Sequence, residues 1–215
     1  MALIKMFIFM VAPFMFNVAT GLFCYLQRPS IEDADTLLEW LQDPLLQDKV
    51  FGMEPDLQQA QETVQHWIEE NAELFGAENI VLIAKHSKKD IPIGLVMLKN
   101  IDWRNRSLDI HYLIANEAHR NGPYGPEMVL TTLVYIFQSL NFHKVYGYVY
   151  NNNLASLNMA NFAAKEEGIL KNYTYVNNNW LDYHLYSINQ QDFKVFLDKN
   201  KNTFLRHHFK KGLIH

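Results

Sequence analysis

The residues best suited to chemistry form a short loop with two glycines, residues 120–125, which reads RNGPYG. A strand is predicted to end just before this loop, and a helix is predicted to begin where it ends. Such a loop directs backbone N–H groups outward, and the helix N-terminus adds about half a positive charge. Both features suit an anion such as a pyrophosphate, which Gly122 and Gly125 would let approach the backbone while Arg120 contacts a phosphate. An ordinary strand–helix turn explains the same glycines, so the loop alone does not decide between a binding site and a turn.

Two polar residues on the strand before the loop have side chains that can transfer protons. Asp109 and His111 are two positions apart, so they share one face of the predicted strand 107–115. A carboxylate or an imidazole there could take a proton from an amine, or hold a water molecule that does so. Polar residues on an open sheet face account for the same pattern, and the sequence leaves both interpretations open.

Apolar periodicity predicts the elements that position these residues. Predicted strands cover residues 22–27, 79–85, 92–100, 107–115, 144–150, 168–176 and 181–188. Predicted helices run from Ser30 to about residue 42 and cover residues 56–76, 125–140 and 155–164. Three consecutive strands predict an antiparallel meander, and the later alternation of strand and helix predicts helices packed on the sheet. The predicted fold class is therefore α/β (α+β), with a mixed, mostly antiparallel central sheet flanked by helices on both faces.

The composition argues against several classes of function. The chain has 215 residues and a net charge of -4, so no broad basic surface supports nucleic-acid binding. Cys24 is the only cysteine and cannot form an internal disulfide. The 9 histidines lack the ligand spacing of a zinc site, and no metal is expected.

The chain is predicted to hold one globular domain, residues 22–188, between an apolar N-terminal extension, 1–21, and a polar C-terminal tail with a possible short helix, 189–215. Residues 6–26 carry no charge and are numerous enough to span a bilayer. Three interpretations remain open for this stretch: a membrane anchor, a signal peptide, or an extension without a membrane role. A cytoplasmic location is expected, with membrane association through the N-terminal segment as the alternative.

The loop resembles the acetyl-coenzyme A loop of GNAT acetyltransferases, whose pattern is Gln/Arg-x-x-Gly-x-Gly/Ala. Further segments resemble the branch of ribosomal-protein N-terminal acetyltransferases and spermidine acetyltransferases. They are IGLVMLKNIDWRNRSLDI, LNFHKVYGYVYNNNLAS, EGIL and WLD, together with the acid Glu127 after the loop. The resemblance covers about residues 22–188. It departs from the family at Pro123, which replaces the first loop glycine and has no N–H, and at residues 163–165, which lack the usual Gly-Phe.

The resemblance implies a GNAT fold and an N-acetyltransferase that moves an acetyl group from acetyl-CoA to a primary amine by direct attack. A protein N-terminus, a polyamine and a small-molecule amine are the implied acceptors, and a monomer or a homodimer is expected. The residues expected to bind acetyl-CoA are Leu113, Ala115, Arg120, Asn121, Gly122, Tyr124, Gly125 and Asn153. Asn153 resembles the asparagine that bonds the pantetheine arm, and a helix cap is the alternative role.

The resemblance also implies roles in proton transfer. Relatives often carry an acid at the position of Asp109, which makes it the favoured base, with His111 as the alternative. Ser156 matches a serine suggested to protonate the leaving thiolate, and a local cap at a helix N-terminus is the alternative. The tyrosine that many GNAT enzymes place on this helix is absent. That absence and Pro123 support a different function, a catalytically impaired module that binds acyl-CoA or a partner, with or without a membrane tether.

Overall fold

A computed structural model of the chain describes residues 17–46, 56–70, 76–176 and 178–200. In this part of the chain, 8 strands form one sheet in the order β1-β2-β3-β4-β5-β6-β8-β7. The strands are β1 (Asn17–Thr20), β2 (Cys24–Gln27), β3 (Ile80–His86), β4 (Pro92–Asp102), β5 (Ser107–Ile114), β6 (Lys144–Tyr150), β7 (Lys165–Val176) and β8 (Asn179–Asn189). The longer helices are α1 (Ala34–Gln42), α2 (Leu57–Glu70), α3 (Tyr124–Val134), α4 (Leu154–Ala163) and α5 (Gln190–Asn200). Neighbouring strands are antiparallel except for the parallel pair β5–β6.

Two hydrophobic clusters cover opposite faces of the sheet. Leu82 of β3 belongs to the cluster under α3 and α5, whereas its neighbour Ile83 belongs to the cluster under α1 and α2. Adjacent side chains of a strand point to opposite faces, so a strand buried on both faces is apolar at every position. The run IVLIA in β3 has this pattern, and all five of its residues are buried. The structure confirms the predicted mixed sheet with helices on both faces.

The sheet divides at the parallel pair β5–β6. The last residue pair that joins these strands is Asp109 with Tyr146. Beyond this pair, β5 stays paired with β4 as far as Ile114, and β6 stays paired with β8 as far as Tyr150. Each strand is then paired only on its outer side, and the two strands diverge and leave a gap between two halves of the sheet. Within the described residues, β5 and β6 present backbone edges without strand partners to this gap.

Most predicted elements form, with shifts of a few residues at their ends. β6 has the predicted bounds, whereas β7 begins at Lys165 rather than at residue 168. β7 is an edge strand of the sheet, and such a strand tolerates the exposed charges of its first three residues. The predicted helix 125–140 begins at Tyr124 as α3 and continues as a π-helical turn, Tyr135–Ser139.

The packed domain extends beyond its predicted bounds at both ends. β1 pairs with β2, so the sheet begins inside the segment predicted as an N-terminal extension. α5 lies inside the predicted polar tail and buries Phe193 and Leu197, one helical turn apart, against the core. The remainder of the predicted extension and tail, residues 1–16 and 201–215, lies outside the described residues. None of the described helices has both the length and the apolar composition needed to cross a bilayer.

The carboxylate of Glu127 joins the turn after β1 to the first turn of α3. It is 3% exposed and accepts hydrogen bonds from the backbone N–H groups of Leu22, Phe23 and Cys24 at 2.7, 2.6 and 2.7 Å. A Cβ at Gly21 would lie 2.5 Å from the Glu127 carboxyl carbon, so a larger residue there would displace this carboxylate. The sequence indicated Glu127 only as part of a resemblance, and the structure gives it an anchoring role.

We expect Glu127→Gln to lower the free energy of unfolding by about 2–4 kcal/mol. Hydrogen bonds to charged groups contribute about 1.5–3 kcal/mol each, and the new amide turns an N–H group toward backbone donors. Urea unfolding followed by circular dichroism measures the change. Glu117→Gln is the control, because Glu117 is exposed, and it should change stability by less than about 0.5 kcal/mol. A loss below about 1 kcal/mol in Glu127→Gln contradicts the anchoring role.

Candidate active site

A cavity of about 310 Å³ occupies the gap where β5 and β6 diverge. Tyr112 of β5 packs with the cluster under α3 and α5, and Leu113 packs with the cluster under α1 and α2. The alternation of the strand therefore places Tyr112 and His111, which both line the cavity, on opposite faces. Met159 of α4 lines the cavity on the face of Tyr112, and Tyr148 of β6 lines it on the face of His111. The cavity thus passes through the sheet, with one mouth beside α3 and α4 and the other on the face that carries α1 and α2.

His111 lines the cavity on the α1–α2 face and is half-buried. Burial lowers the pKa of His111 below its ordinary value of 6.5, the positive charge of Lys99 lowers it further, and Asp109 acts in the opposite direction. A lowered pKa leaves the imidazole neutral at neutral pH, with one nitrogen able to accept a proton. This is the protonation state that a general base requires.

Asp109 is the last residue of β5 that pairs with β6, and it lies between Lys99 of β4 and Tyr146 of β6. Its Oδ2 accepts a hydrogen bond from Nδ2 of Asn100 at 2.7 Å. Among the described residues, those that line the cavity include His111 but not Asp109. The carboxylate therefore acts on the cavity through its charge on His111. This placement favours His111 over Asp109, the reverse of the order that the resemblance implies.

Three polar side chains meet at the mouth of the cavity beside α4. Oδ1 of Asn153 caps this helix by accepting a hydrogen bond from the Ser156 N–H at 3.2 Å. Burial raises the pKa of the Tyr112 phenol, and the nearby Ser156 hydroxyl opposes this increase. All three residues line the cavity, so Asn153 is both a helix cap and part of the wall.

Tyr112 carries a functional group that the sequence did not indicate. It alternates with Leu108 and Ile110, and such a pattern normally marks packing against a core. Tyr112 does pack against the cluster under α3, but it also lines the cavity. The divergence of β5 from β6 opens the cavity beside this residue, and strand divergence is a property of the assembled sheet.

Arg120 ties the loop 120–125 to the end of β5. Its Nε and Nη2 donate hydrogen bonds to the carbonyl oxygens of Ile114 and Ala115 at 3.2 and 3.0 Å. A guanidinium carries five N–H donors, so these bonds leave donors for a phosphate. The side chains of Leu113 and Ala115 pack under α1 and α2, and neither residue is among those that line the cavity.

The side chain of Tyr124 packs toward β3. Its hydroxyl oxygen lies 3.1 Å from Nε2 of His86, and its ring centroid lies 4.7 Å from that of His119. His119 is buried, and burial together with the nearby His86 lowers the pKa of His119. These contacts give the Tyr124 ring a structural role in the loop and leave its backbone N–H for a ligand.

The outer surface of the loop is open beside its glycines. Asn121 and Gly122 are exposed, and a Cβ at Gly125 would meet no atom within 4 Å. The first turn of α3 leaves the N–H groups of Tyr124 and Gly125 without partners inside the helix. Pro123 is the N-cap and has no N–H, so the loop offers one donor fewer than a glycine there would supply.

The arrangement suits attack on a carbonyl group held in the gap. A neutral imidazole lies on one face, a pair of hydroxyl groups lies on the other, and backbone N–H groups at the start of α3 can hold an anion. No group of three or more His, Cys, Asp and Glu side chains in the described part of the chain could hold a metal ion.

Comparison with known proteins identifies a matching family model and several solved structures with a similar fold. The sequence model of the acetyltransferase (GNAT) domain matches residues 24–161. The fold is similar to that of spermidine N-acetyltransferase from Vibrio cholerae in complex with CoA and spermine, with a TM-score of 0.70 and 20% identity over 80% of this chain and 98% of that one. It is also similar to an acetyltransferase (GNAT family) from Bacillus anthracis, with a TM-score of 0.66 and 17% identity over 82% and 99% of the two chains. A probable acetyltransferase has a TM-score of 0.70 and 22% identity over 83% and 99%. The comparison with curated proteins gives no match.

Proposed function

Because the chain belongs to the GNAT acetyltransferase family, we propose that it transfers an acetyl group from acetyl-CoA to a primary amine by direct attack. The observation that carries this proposal is the cavity through the sheet, with His111 on one face and the Tyr112–Ser156 pair on the other. Such a passage lets an amine approach a thioester from the face opposite the bound coenzyme.

The proposed reaction uses the two faces of the sheet for its two substrates. The amine enters on the α1–α2 face, where the His111 imidazole takes a proton from its nitrogen. The neutral nitrogen then forms a bond to the thioester carbonyl carbon, the carbon–sulfur bond breaks as sulfur takes the electron pair on the α3–α4 face, and the nitrogen passes its second proton through water to the thiolate. The negative charge of Asp109 stabilises the imidazolium that forms, because it raises the pKa of His111.

Acetyl-CoA is proposed to bind with its pyrophosphate at the loop 120–125 and its pantetheine arm in the gap. The N–H groups at the start of α3 and the remaining donors of Arg120 would bind the phosphates. The backbone edge of β5 and the side chain of Asn153 would bind the amide groups of the arm. Pro123 reduces the number of phosphate donors, which predicts weaker binding than a glycine loop gives.

The amine acceptor is proposed to carry a second positive charge. Tyr150 and Tyr183 lie with their ring centroids 4.6 Å apart on the α1–α2 face, and Tyr148 lies 5.9 Å from Tyr183. The faces of aromatic rings attract ammonium groups, whereas the opposite charges of Asp109 and Lys99 on this face oppose each other. A polyamine fits this environment, and the Vibrio cholerae relative was solved with spermine.

We expect purified protein to release free thiol from acetyl-CoA only when an amine is added. Spermidine, a peptide with a free N-terminus and benzylamine should be compared, and spermidine should give the highest kcat/KM because it places a second cation on the tyrosines. Calorimetry with acetyl-CoA measures cofactor binding separately. Binding without amine-dependent thiol release would support the impaired acyl-CoA-binding module that Pro123 suggests.

A further inference from the structure

We infer that the cavity takes, as acyl donor, a CoA thioester whose apolar acyl chain is longer than acetyl, such as butyryl-CoA. This inference rests on the proposed acyl transfer and adds the class of donor to it. The chain would lie in an apolar end of the cavity on the α3–α4 face, called the acyl chamber, which is lined by Leu133, Val145, Ala160, Ala163, Ala164 and Ile188.

The acyl chamber lies at the closed end of the gap, where β5 and β6 are still paired. Val145 of β6 is paired with Leu108 of β5, one position before the last pair that joins these strands, and Ile188 of β8 is paired with Val145. All three side chains belong to the cluster under α3 and α5. α3 connects two parallel strands, so it runs from the loop at the open end of the gap back toward the start of β6. Leu133 lies about 12 Å along this helix from Gly125, at about 1.5 Å per residue.

α4 also runs from the open end of the gap to the chamber. It follows β6, whose last residue lies at the open end, and it leads into β7. Lys165, the first residue of β7, is paired with Ser187 of β8, and Ser187 is paired with Tyr146 at the closed end. Ala163 and Ala164, which come just before Lys165, therefore lie at the closed end as well.

Small side chains leave the chamber open. One face of α4 lines the cavity with residues at helical spacing: Ser156, Met159, Ala160 and Ala163. The structure describes every residue of α4, and none of them is buried. Residues 163–165 also lack the Gly-Phe that is usual in the family, so this segment contributes no phenyl ring to the chamber. Atoms around an apolar void lose contacts, which lowers stability, and alanines along this wall therefore indicate a space that a ligand fills.

The direction of the bound thioester places the acyl chain in the chamber. The pantetheine arm is proposed to enter from the open end, and the amine is proposed to reach the carbonyl carbon from the face of His111. Sulfur and the acyl chain are bonded on opposite sides of a planar carbonyl carbon. With sulfur toward the open end, the chain projects toward the closed end, where Val145 and Ile188 lie.

The chamber suits an uncharged chain of a few carbon atoms. The whole cavity has a volume of about 310 Å³, and an apolar cavity of about 150 Å³ already holds benzene. Space therefore remains beside the end of the arm. Val145 and Ile188 are 2% and 5% exposed, so they close the chamber against long chains. Among the described residues, none that lines the cavity on the α3–α4 face is charged, and a carboxylate at the end of the chain would be buried without a partner.

The longer chain does not change the bonds that form and break. The amine nitrogen bonds to the carbonyl carbon, and sulfur leaves with the electron pair of the broken carbon–sulfur bond. One amine proton goes to His111 and the second goes through water to the thiolate. The products are an amide that carries the longer chain and free CoA thiol.

We expect kcat/KM with butyryl-CoA to exceed that with acetyl-CoA about 10–20-fold, because two more methylene groups leave water and each contributes about fourfold. Propionyl-CoA should lie between them. Succinyl-CoA has a chain of similar length that ends in a carboxylate, and it should react more slowly than acetyl-CoA. Thiol release is measured with the panel amine that reacts fastest, and calorimetry without amine measures the affinity of each donor.

Ala163→Leu tests the chamber within the protein. Leucine would fill the space, so the ratio of kcat/KM for butyryl-CoA to that for acetyl-CoA should fall about tenfold, and the ratio of the two affinities should fall with it. Ala155→Leu is the matched control, because Ala155 lies on the same helix, is exposed and is not among the residues that line the cavity. Both ratios should equal those of the wild type in this variant, and circular dichroism should show that both variants fold.

The two proposals fail in different ways. If no donor releases thiol when an amine is added, the proposed function fails, whereas tighter binding of butyryl-CoA that a folded Ala163→Leu protein loses still supports the chamber. If acetyl transfer occurs but the longer chain gains neither rate nor affinity, or if succinyl-CoA equals butyryl-CoA, only the chamber is overturned. An unchanged ratio in folded Ala163→Leu overturns it as well. If this variant does not fold, the series of donors with the wild type decides.

Discussion

His111→Gln is expected to lower the turnover of acetyl-CoA with amine by about 10²–10⁴-fold, the usual contribution of a general base. An amine is protonated at neutral pH, and only its neutral form can attack a carbonyl carbon. His111 lines the cavity on the side from which the amine is proposed to enter, and its lowered pKa keeps it able to accept a proton. Glutamine keeps a polar side chain of similar size but cannot take the proton. Affinity for acetyl-CoA, measured by calorimetry, should stay within about threefold, since the coenzyme is proposed to bind on the other face.

The pH dependence of the wild type provides a second measurement of the same residue. The rate falls as pH drops through the pKa of the base, because protonated imidazole cannot accept a proton. The pKa of His111 lies below its ordinary value of 6.5, so the midpoint of this fall in kcat/KM should lie below pH 6.5. The fall should be absent or displaced in His111→Gln.

Asp109→Asn separates the two candidates for the base. It removes the charge that raises the pKa of His111, so turnover should change by less than about tenfold while the fall in kcat/KM moves to lower pH. A large loss in Asp109→Asn with His111→Gln near wild type would assign the base to Asp109. If neither variant loses even about tenfold, the amine arrives neutral from solvent and catalysis consists mainly of positioning.

The fold was largely predictable because its signals are local. The continuous apolar run of β3 requires cover on both faces, and the apolar positions of α3 recur at helical spacing. β1 was not predicted, since its residues continue an apolar segment whose end the sequence does not mark. The sequence predicted a polar tail with a possible short helix where α5 forms, because few apolar residues, of which Phe193 and Leu197 are buried, stand among many polar neighbours.

The elements that carry the expected site were predictable, but the contacts of each side chain were not. The loop and β5 follow from punctuation by glycine and from alternation. β5 lines the cavity with Ile110, His111 and Tyr112, whereas no residue of the loop 120–125 is among those that line it. Arg120 and Tyr124 were expected to face a ligand, but the structure engages the first with β5 carbonyls and the second with His86. The partners of a long polar side chain depend on contacts that are distant in sequence, and spacing carries no information about them.

The Gly125→Leu variant should bind acetyl-CoA about 10²–10³-fold more weakly than the wild type. A Cβ at Gly125 has no neighbour within 4 Å, so leucine should fold into place and project into the space proposed for the pyrophosphate. Hydrogen bonds to charged groups contribute about 1.5–3 kcal/mol each, and about 1.4 kcal/mol corresponds to a tenfold change in affinity. Loss of two such bonds of about 1.5–2 kcal/mol each, the lower part of this range, gives the expected factor.

Gly168→Leu is the matched control for this substitution. A Cβ at Gly168 also meets nothing within 4 Å, and Gly168 lies on the edge strand β7, outside the loop, so affinity should not change. Circular dichroism should show that both variants fold. Unchanged affinity in a folded Gly125→Leu protein would show that the pyrophosphate binds elsewhere.

Acetyl-pantetheine distinguishes the loop from the rest of the cavity, because it carries the same thioester without the pyrophosphate. Its kcat/KM with the wild type and with Gly125→Leu should agree within about threefold if leucine removes only the anion site. An equal loss for acetyl-pantetheine and acetyl-CoA would show instead that the substitution disturbs the gap between β5 and β6. Because α3 begins at the loop and packs against the same sheet, only this comparison separates loss of phosphate donors from movement of the helix.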